Sequence, residues 1–203
     1  MASQRLVHVV TFILSAYLRL VAKTSRISIQ HKEHFQNNIM LGFWHGDSCT
    51  MQLLLGQLAK QFTGIKVIVT ADTRGNYIDG MLKHYGAEAV RLPDGLNMRH
   101  FLQELQGMGQ MEKGIFACAL DGPTGPVHQP KKLLFKLAQS AQKEMVCVSY
   151  HYSRVLRLRK RWDKYAIPLP FTRITVKSEW LGMISQMHLR QFPEHFSSQL
   201  NQL

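Results

Sequence analysis

From residue 24 onward the chain alternates short apolar runs with stretches of helical periodicity, and this alternation constrains the fold more than any other feature. The runs predict strands near 26–30 (RISIQ), 39–44 (IMLGFW), 65–70 (IKVIVT), 87–91 (AEAVR), 114–120 (GIFACAL) and 145–151 (MVCVSYH). Helices are expected between them, over 47–62, 75–85, 96–109 and 131–143. Strands alternating with helices give an α/β fold, here a mixed, mainly parallel sheet covered by helices. With 203 residues and no internal repeat or low-complexity linker, one substantial core is expected. The organisation read from this is one domain over 24–203 preceded by a helix over 1–23.

That leading segment has its own pattern. Between Arg5 and Arg19 lie thirteen residues, LVHVVTFILSAYL, with no formal charge apart from any protonation of His8. At about 1.5 Å per residue they cover roughly 20 Å, short of the roughly 30 Å hydrocarbon core of a bilayer. Gln4, His8, Thr11, Ser15 and Arg19 recur at helical spacing and form one narrow polar stripe on an otherwise apolar helix. Such a helix suits the membrane interface. Two other readings stay open, a helix docked on the protein's own core and a signal peptide, although no A-x-A cleavage site follows the apolar run.

Lys and Arg outnumber Asp and Glu 25 to 13, a formal net charge of +12, so an anionic partner is expected. Six of the basic residues fall between Arg154 and Lys164, ahead of an Ile-Pro-Leu-Pro stretch at 167–170 that enforces an extended path. The run reads either as a solvated face or as a patch meeting an anionic membrane surface. Nucleic acid is not expected as a partner: the aromatic residues are not interleaved with the basic ones, and no helix-turn-helix or zinc pattern is present. Cys49, Cys118 and Cys147 sit in apolar surroundings without CxxC spacing, which fits small buried thiols rather than a metal site or disulfide framework. A last strand over 171–178 and a short helix from about 193 close the chain.

Ligands in open α/β sheets gather beyond the carboxyl ends of strands. Three candidate elements fall there. Trp44-His45-Gly46-Asp47 follows the second strand; a neutral imidazole can take a proton from an attacking hydroxyl, and a carboxylate would orient it. Asp47 is near, but equally suited to N-capping the next helix. Ala71-Asp72-Thr73-Arg74-Gly75-Asn76 follows the third strand and combines charge with a helix start, as an anion site would. Asp121-Gly122-Pro123-Thr124-Gly125-Pro126 follows a buried strand and sets one carboxylate at the mouth of a rigid turn.

Four stretches in order, FWHG (43–46), GAEAVR (86–91), LDGPTGP (120–126) and WDKYAIPLPFTR (162–173), resemble the DUF374 branch of the lysophospholipid acyltransferase superfamily. The resemblance implies a glycerol-3-phosphate acyltransferase-like fold with an amphipathic N-terminal membrane anchor. The implied activity is O-acyl transfer from acyl-CoA or acyl carrier protein to a hydroxyl of a lysophospholipid or glycolipid acceptor, at the cytoplasmic face of the cell membrane. No resident cofactor or metal is implied. His45 matches the catalytic base, Asp121 resembles the acid of the third motif, and Arg91 occupies the place of a basic residue that helps bind the acceptor. Arg74, Gly122 and Thr124 complete the expected substrate contacts.

The sequence departs from the pattern at three places. Thr50 stands where the superfamily has an aspartate five residues after its histidine; Arg74-Gly75-Asn76 replaces Asp-Gly-Glu; Leu92-Pro93-Asp94 replaces a Gly-Ser-Ser run. Either Asp47 or Asp121 then supplies the orienting carboxylate, or the chain is an inactive lipid-binding or scaffold protein on the same fold.

Overall fold

The computed structural model describes residues 2–70, 73–92, 103, 107, 114–122 and 124–200. Its strands in chain order are β1 (Arg26–Ile29), β2 (Ile39–Phe43), β3 (Ile65–Thr70), β4 (Ala87–Leu92), β5 (Ile115–Ala119), β6 (Glu144–Tyr152), β7 (Val155–Arg157), β8 (Ala166–Pro168) and β9 (Arg173–Met183). Its helices are α1 (Ala2–Thr24), α2 (Ser48–Leu58), α3 (Thr73–His84), α4 (Lys132–Ser140), α5 (Gln186–Arg190) and α6 (Ser197–Leu200). The helix expected over 96–109 lies outside the described residues apart from two isolated positions.

Seven strands form one sheet in the order β1-β9-β6-β2-β5-β3-β4. All neighbours are parallel except β6 and β9, so the sheet is mixed and mainly parallel, as expected. β2 lies at the centre between β5 and β6, and every residue of it is buried. Burial on both faces is why these strands read as continuous apolar runs rather than alternating ones. Ile39, Leu41 and Phe43 pack with Leu18 and Val21 of α1, Met51 and Leu54 of α2, and Met81 of α3. Met40 and Trp44 turn the other way, onto Leu134 and Phe135 of α4 and Phe196 near the C-terminus. The strand period of two thus builds one helical layer on each face.

Three regions show how the elements differ from the sequence reading. The helix expected over 47–62 starts instead with a 3-10 turn, His45–Asp47, and α2 ends at Leu58. β9 continues to Met183, five residues past the expected end, because it pairs antiparallel with β6 through Glu144↔Met183. The basic segment after residue 152, where regular alternation fails, folds back as a two-stranded hairpin of β7 and β8. Its tip carries Arg159, Lys160 and Arg161.

In the polar stripe of α1 the side chains of Gln4 and His8 lie outside the described residues, and those of Thr11, Ser15 and Arg19 meet the protein's own residues. Ser15 is buried, the side chain of Thr11 packs against Gly80 of α3, and Arg19 Nη2 lies 2.5 Å from His84 Nε2. Val9, Phe12, Ile13 and Leu20 are outermost, with Phe12 68% exposed. Among the described residues no helix is long and apolar enough to cross a membrane.

Candidate active site

β2 and β5 are neighbours, so their carboxyl ends deliver two candidate motifs side by side. The ladder runs on past both strands: Leu120 N–H donates to Phe43 C=O at 2.8 Å. Beyond that bond the chain turns at His45 on one side and Asp121 on the other. The His45 main-chain N–H donates to Asp121 Oδ1 at 2.9 Å, and His128 N–H donates to Oδ2 at 3.4 Å. Asp121 therefore fastens the histidine turn to its own loop. Burial raises the Asp121 carboxyl above its ordinary range, and the His45 N–H bond offsets part of that.

Asp47 serves a different partner. It occupies the N-cap position of α2 but makes no side-chain cap bond. Instead its Oδ1 accepts the Tyr152 hydroxyl at 2.8 Å, and Tyr152 Oη is also 3.0 Å from Thr50 Oγ1. Tyr152 of β6 thus joins Asp47 to the residue standing where an aspartate was expected. Burial raises the Asp47 carboxyl, with the Tyr152 bond acting against it.

A third segment closes the site. The indole of Trp162 sits 5.4 Å from the His45 ring, centroid to centroid, at an interplanar angle of 35°. Gly46 faces the next residue: a Cβ there would lie 2.3 Å from the Asp163 carbonyl oxygen, so only glycine permits the approach. Gly125, at φ +69°, lies against the same indole, and a Cβ there would meet it at 2.5 Å. Three of the stretches that carry the family resemblance therefore pack on one another through Trp162. Asp163 is wholly buried and held bidentately by Arg161, Nε to Oδ1 at 2.9 Å and Nη2 to Oδ2 at 2.7 Å. Burial alone would raise the Asp163 carboxyl; the Arg161 bonds and charge, with a further contribution from His45, bring it below its ordinary value.

His45 opens into a cavity of about 440 Å³ between the sheet and helices α1, α2 and α3. Val10, Leu14 and Leu18 of α1, Leu55 of α2 and Met81 of α3 make its walls apolar. Polar groups join at a few points, chiefly His45, Ser48, Gln52, Lys131 and Arg161. That volume falls in the range of pockets that enclose small organic ligands. The thiols lining it are poor nucleophiles, since burial pushes both Cys49 and Cys118 up to about 12.

Of the site residues expected from sequence, His45 and Gly122 line this cavity, and Asp121 anchors the turn beside it. Thr124 is exposed and is not part of the cavity wall. Arg91 is directed to α3, its Nη2 3.7 Å from Asp79 Oδ2, rather than into the cavity. The side chain of Arg74 lies outside the described residues. Arg161, Asp163, Lys131 and Tyr152 are the site neighbours that sequence reasoning did not single out. The signal for Asp163 was a Trp-Asp pair set inside a strongly basic run. Exposed His31 and Glu33 and half-buried His34 place one donor atom each within 4.8 Å of one another, as metal ligands would, but on the segment leading into the opposite end of β2.

The chain is 26% identical over 185 residues to an uncharacterized protein of Rickettsia prowazekii (strain Madrid E), covering 86% of this chain and 80% of that protein. No family model matches the chain. No solved structure matches it either.

Proposed function

We propose that this protein is a membrane-peripheral O-acyltransferase on a glycerol-3-phosphate acyltransferase-like fold, moving a fatty acyl chain from acyl-CoA or acyl carrier protein to a hydroxyl of a lysophospholipid or glycolipid. The observation that carries this reading is the presence of His45 in the lining of an apolar cavity of about 440 Å³. In the reaction, neutral His45 removes the acceptor hydroxyl proton as that oxygen attacks the thioester carbonyl. The tetrahedral intermediate expels the thiolate, and the imidazolium returns the proton to it. No covalent enzyme intermediate is needed, consistent with the high thiol pKa values of Cys49 and Cys118. The amides opening α2, which begins three residues after His45, are candidate donors to the oxyanion.

Membrane attachment is supported by the exposed apolar row Val9, Phe12, Ile13 and Leu20 on α1. Burying side chains of this kind in the interface contributes on the order of 1 kcal/mol each when half of their surface is still exposed. Exposed cations at the β7–β8 tip add attraction to anionic headgroups.

The test is transfer of a labelled acyl chain from acyl-CoA and from acyl carrier protein onto a panel of lysophospholipids and glycolipids. His45→Ala is expected to lower the rate about 10²–10⁴-fold; an unchanged rate removes His45 as base. Thr50 in the expected aspartate position favours one other reading, an inactive lipid-binding protein. Multiple turnover by the purified wild-type chain eliminates it.

A further inference from the structure

We infer that His31, Glu33 and His34 form a binding site for zinc or a similar borderline divalent transition metal, on the connection between β1 and β2. The stretch His31-Lys32-Glu33-His34 closes as a 3-10 turn over Lys32–His34. Side chains three apart eclipse in such a turn, and the rings of His31 and His34 accordingly stack, 5.2 Å between centroids at 16°. Glu33 Oε1 lies 3.1 Å from His31 Nδ1. One donor atom from each of the three residues is within 4.8 Å of the other two. Two imidazoles and a carboxylate, with water in the fourth position, make an open tetrahedral zinc site. Zn–N bonds of about 2.0–2.1 Å put tetrahedral neighbours about 3.4 Å apart, so the donors need to close by about 1–1.5 Å. The side chains of His31 and Glu33 are exposed and have room to do so.

Ser178 of β9 orients one ligand from behind. Its hydroxyl has a single proton to donate, toward the Gln30 C=O at 3.0 Å or the His31 C=O at 3.1 Å. Its oxygen therefore accepts from His34 Nδ1 at 3.0 Å, which makes Nδ1 the protonated nitrogen and leaves the lone pair on Nε2. A second partner that fixes the tautomer in this way is what metal-binding histidines ordinarily have. Glu33 supplies the negative charge: its own main-chain N–H, and then His31, hold its carboxyl below the ordinary value. Imidazole donors select zinc, copper or nickel over magnesium and calcium, which favour oxygen. The structural consequence follows from the sheet order. β1 pairs with β9 as far as Ile29↔Val176, Gln30 N–H donates to the Val176 C=O at 2.9 Å, and beyond that bond Ser178 ties the turn to β9. A bound ion would fasten this turn over the outer edge of β9.

Zinc chloride is titrated calorimetrically into the full chain after chelator treatment and dialysis. One site with a micromolar Kd is expected, and magnesium chloride is expected to give no binding heat. His31→Asn suits the left-handed backbone of that residue, φ +53°, and Glu33→Gln changes an exposed side chain, so both are expected to fold. Each is expected to weaken zinc binding about tenfold or more. His195→Gln is the control: His195 stacks on His188 at 4.2 Å, a histidine pair outside this cluster, and its loss is expected to leave the zinc Kd unchanged. Saturating zinc is expected to raise the melting temperature of wild type and His195→Gln, but not of the His31→Asn, Glu33→Gln double variant. Absence of zinc binding to wild type overturns the inference. So does a double variant that binds zinc as tightly as wild type, or magnesium binding as tight as zinc. No acyl donor or acceptor enters these measurements, so their outcome is independent of the role of His45.

Discussion

His45 and Asp121 are joined main chain to side chain, N–H to Oδ1 at 2.9 Å, across the carboxyl ends of two neighbouring parallel strands. The bond fixes where β2 ends and the 3-10 turn begins, so it sets the direction in which the imidazole leaves the sheet. Asp121→Ala, which takes this acceptor from two partly buried main-chain N–H bonds, is expected to cost about 1–3 kcal/mol in urea unfolding. Asp121→Asn keeps one acceptor oxygen and is expected to lose less.

Asp163 makes stability depend on acid. Its folded-state pKa is below the ordinary carboxylate value, because Arg161 outweighs burial. The stabilisation is therefore fully present above the unfolded pKa of about 4 and is lost as pH falls through the folded value. Urea midpoints compared between pH 7 and roughly pH 3 are expected to drop less in Asp163→Asn than in wild type.

Gly46 is required by the close approach of the Asp163 carbonyl. Gly46→Ala is expected to push the Trp162–Asp163 segment off His45, costing about 1–3 kcal/mol of stability. Intrinsic tryptophan fluorescence should report the displacement, and acyl transfer should fall more steeply than the loss of folded protein.

Val10 lies on the α1 wall of the cavity. Val10→Trp is expected to shorten the usable space and reduce transfer of long acyl chains roughly 10- to 100-fold relative to short ones. Competition between donors of different chain length, run in one tube, measures that ratio. Equal losses at all lengths would argue that the chain lies elsewhere.

Phe12 and Ile13 are exposed on α1 and contribute little to the core. A Phe12→Glu, Ile13→Glu double variant is expected to keep the melting temperature within a few degrees while lowering binding to anionic vesicles about tenfold or more. Flotation with phosphatidylglycerol and phosphatidylcholine vesicles checks both the apolar and the charge contributions.

The central strands were legible in sequence because β2, β5 and β6 are buried on both faces and therefore read as unbroken apolar runs. His45 and Asp121 were legible as residues just past such runs. The far half of β9 was not: Lys177, Glu179 and Trp180 look like a strand ending, yet pairing with β6 carries the extended chain to Met183. α5, only Gln186–Arg190, is a short turn of helix held by reciprocal Ser185 and His188 bonds, too brief for periodicity to reveal. Arg91 was expected at the site and faces Asp79 instead, a pairing that depends on how α3 lies over β4. Asp163 was hidden for a related reason. Inside a basic run its charge looks solvated, and only tertiary packing of Trp162 between His45 and Gly125 places it in the interior.

α1 has two apolar surfaces with different neighbours. Leu14 and Leu18 wall the cavity, while Val9, Phe12 and Ile13 face outward from the same few turns. A helix with its side chains is about 10–12 Å across. One helix diameter is thus the scale that separates the apolar cavity lining from the apolar residues turned outward.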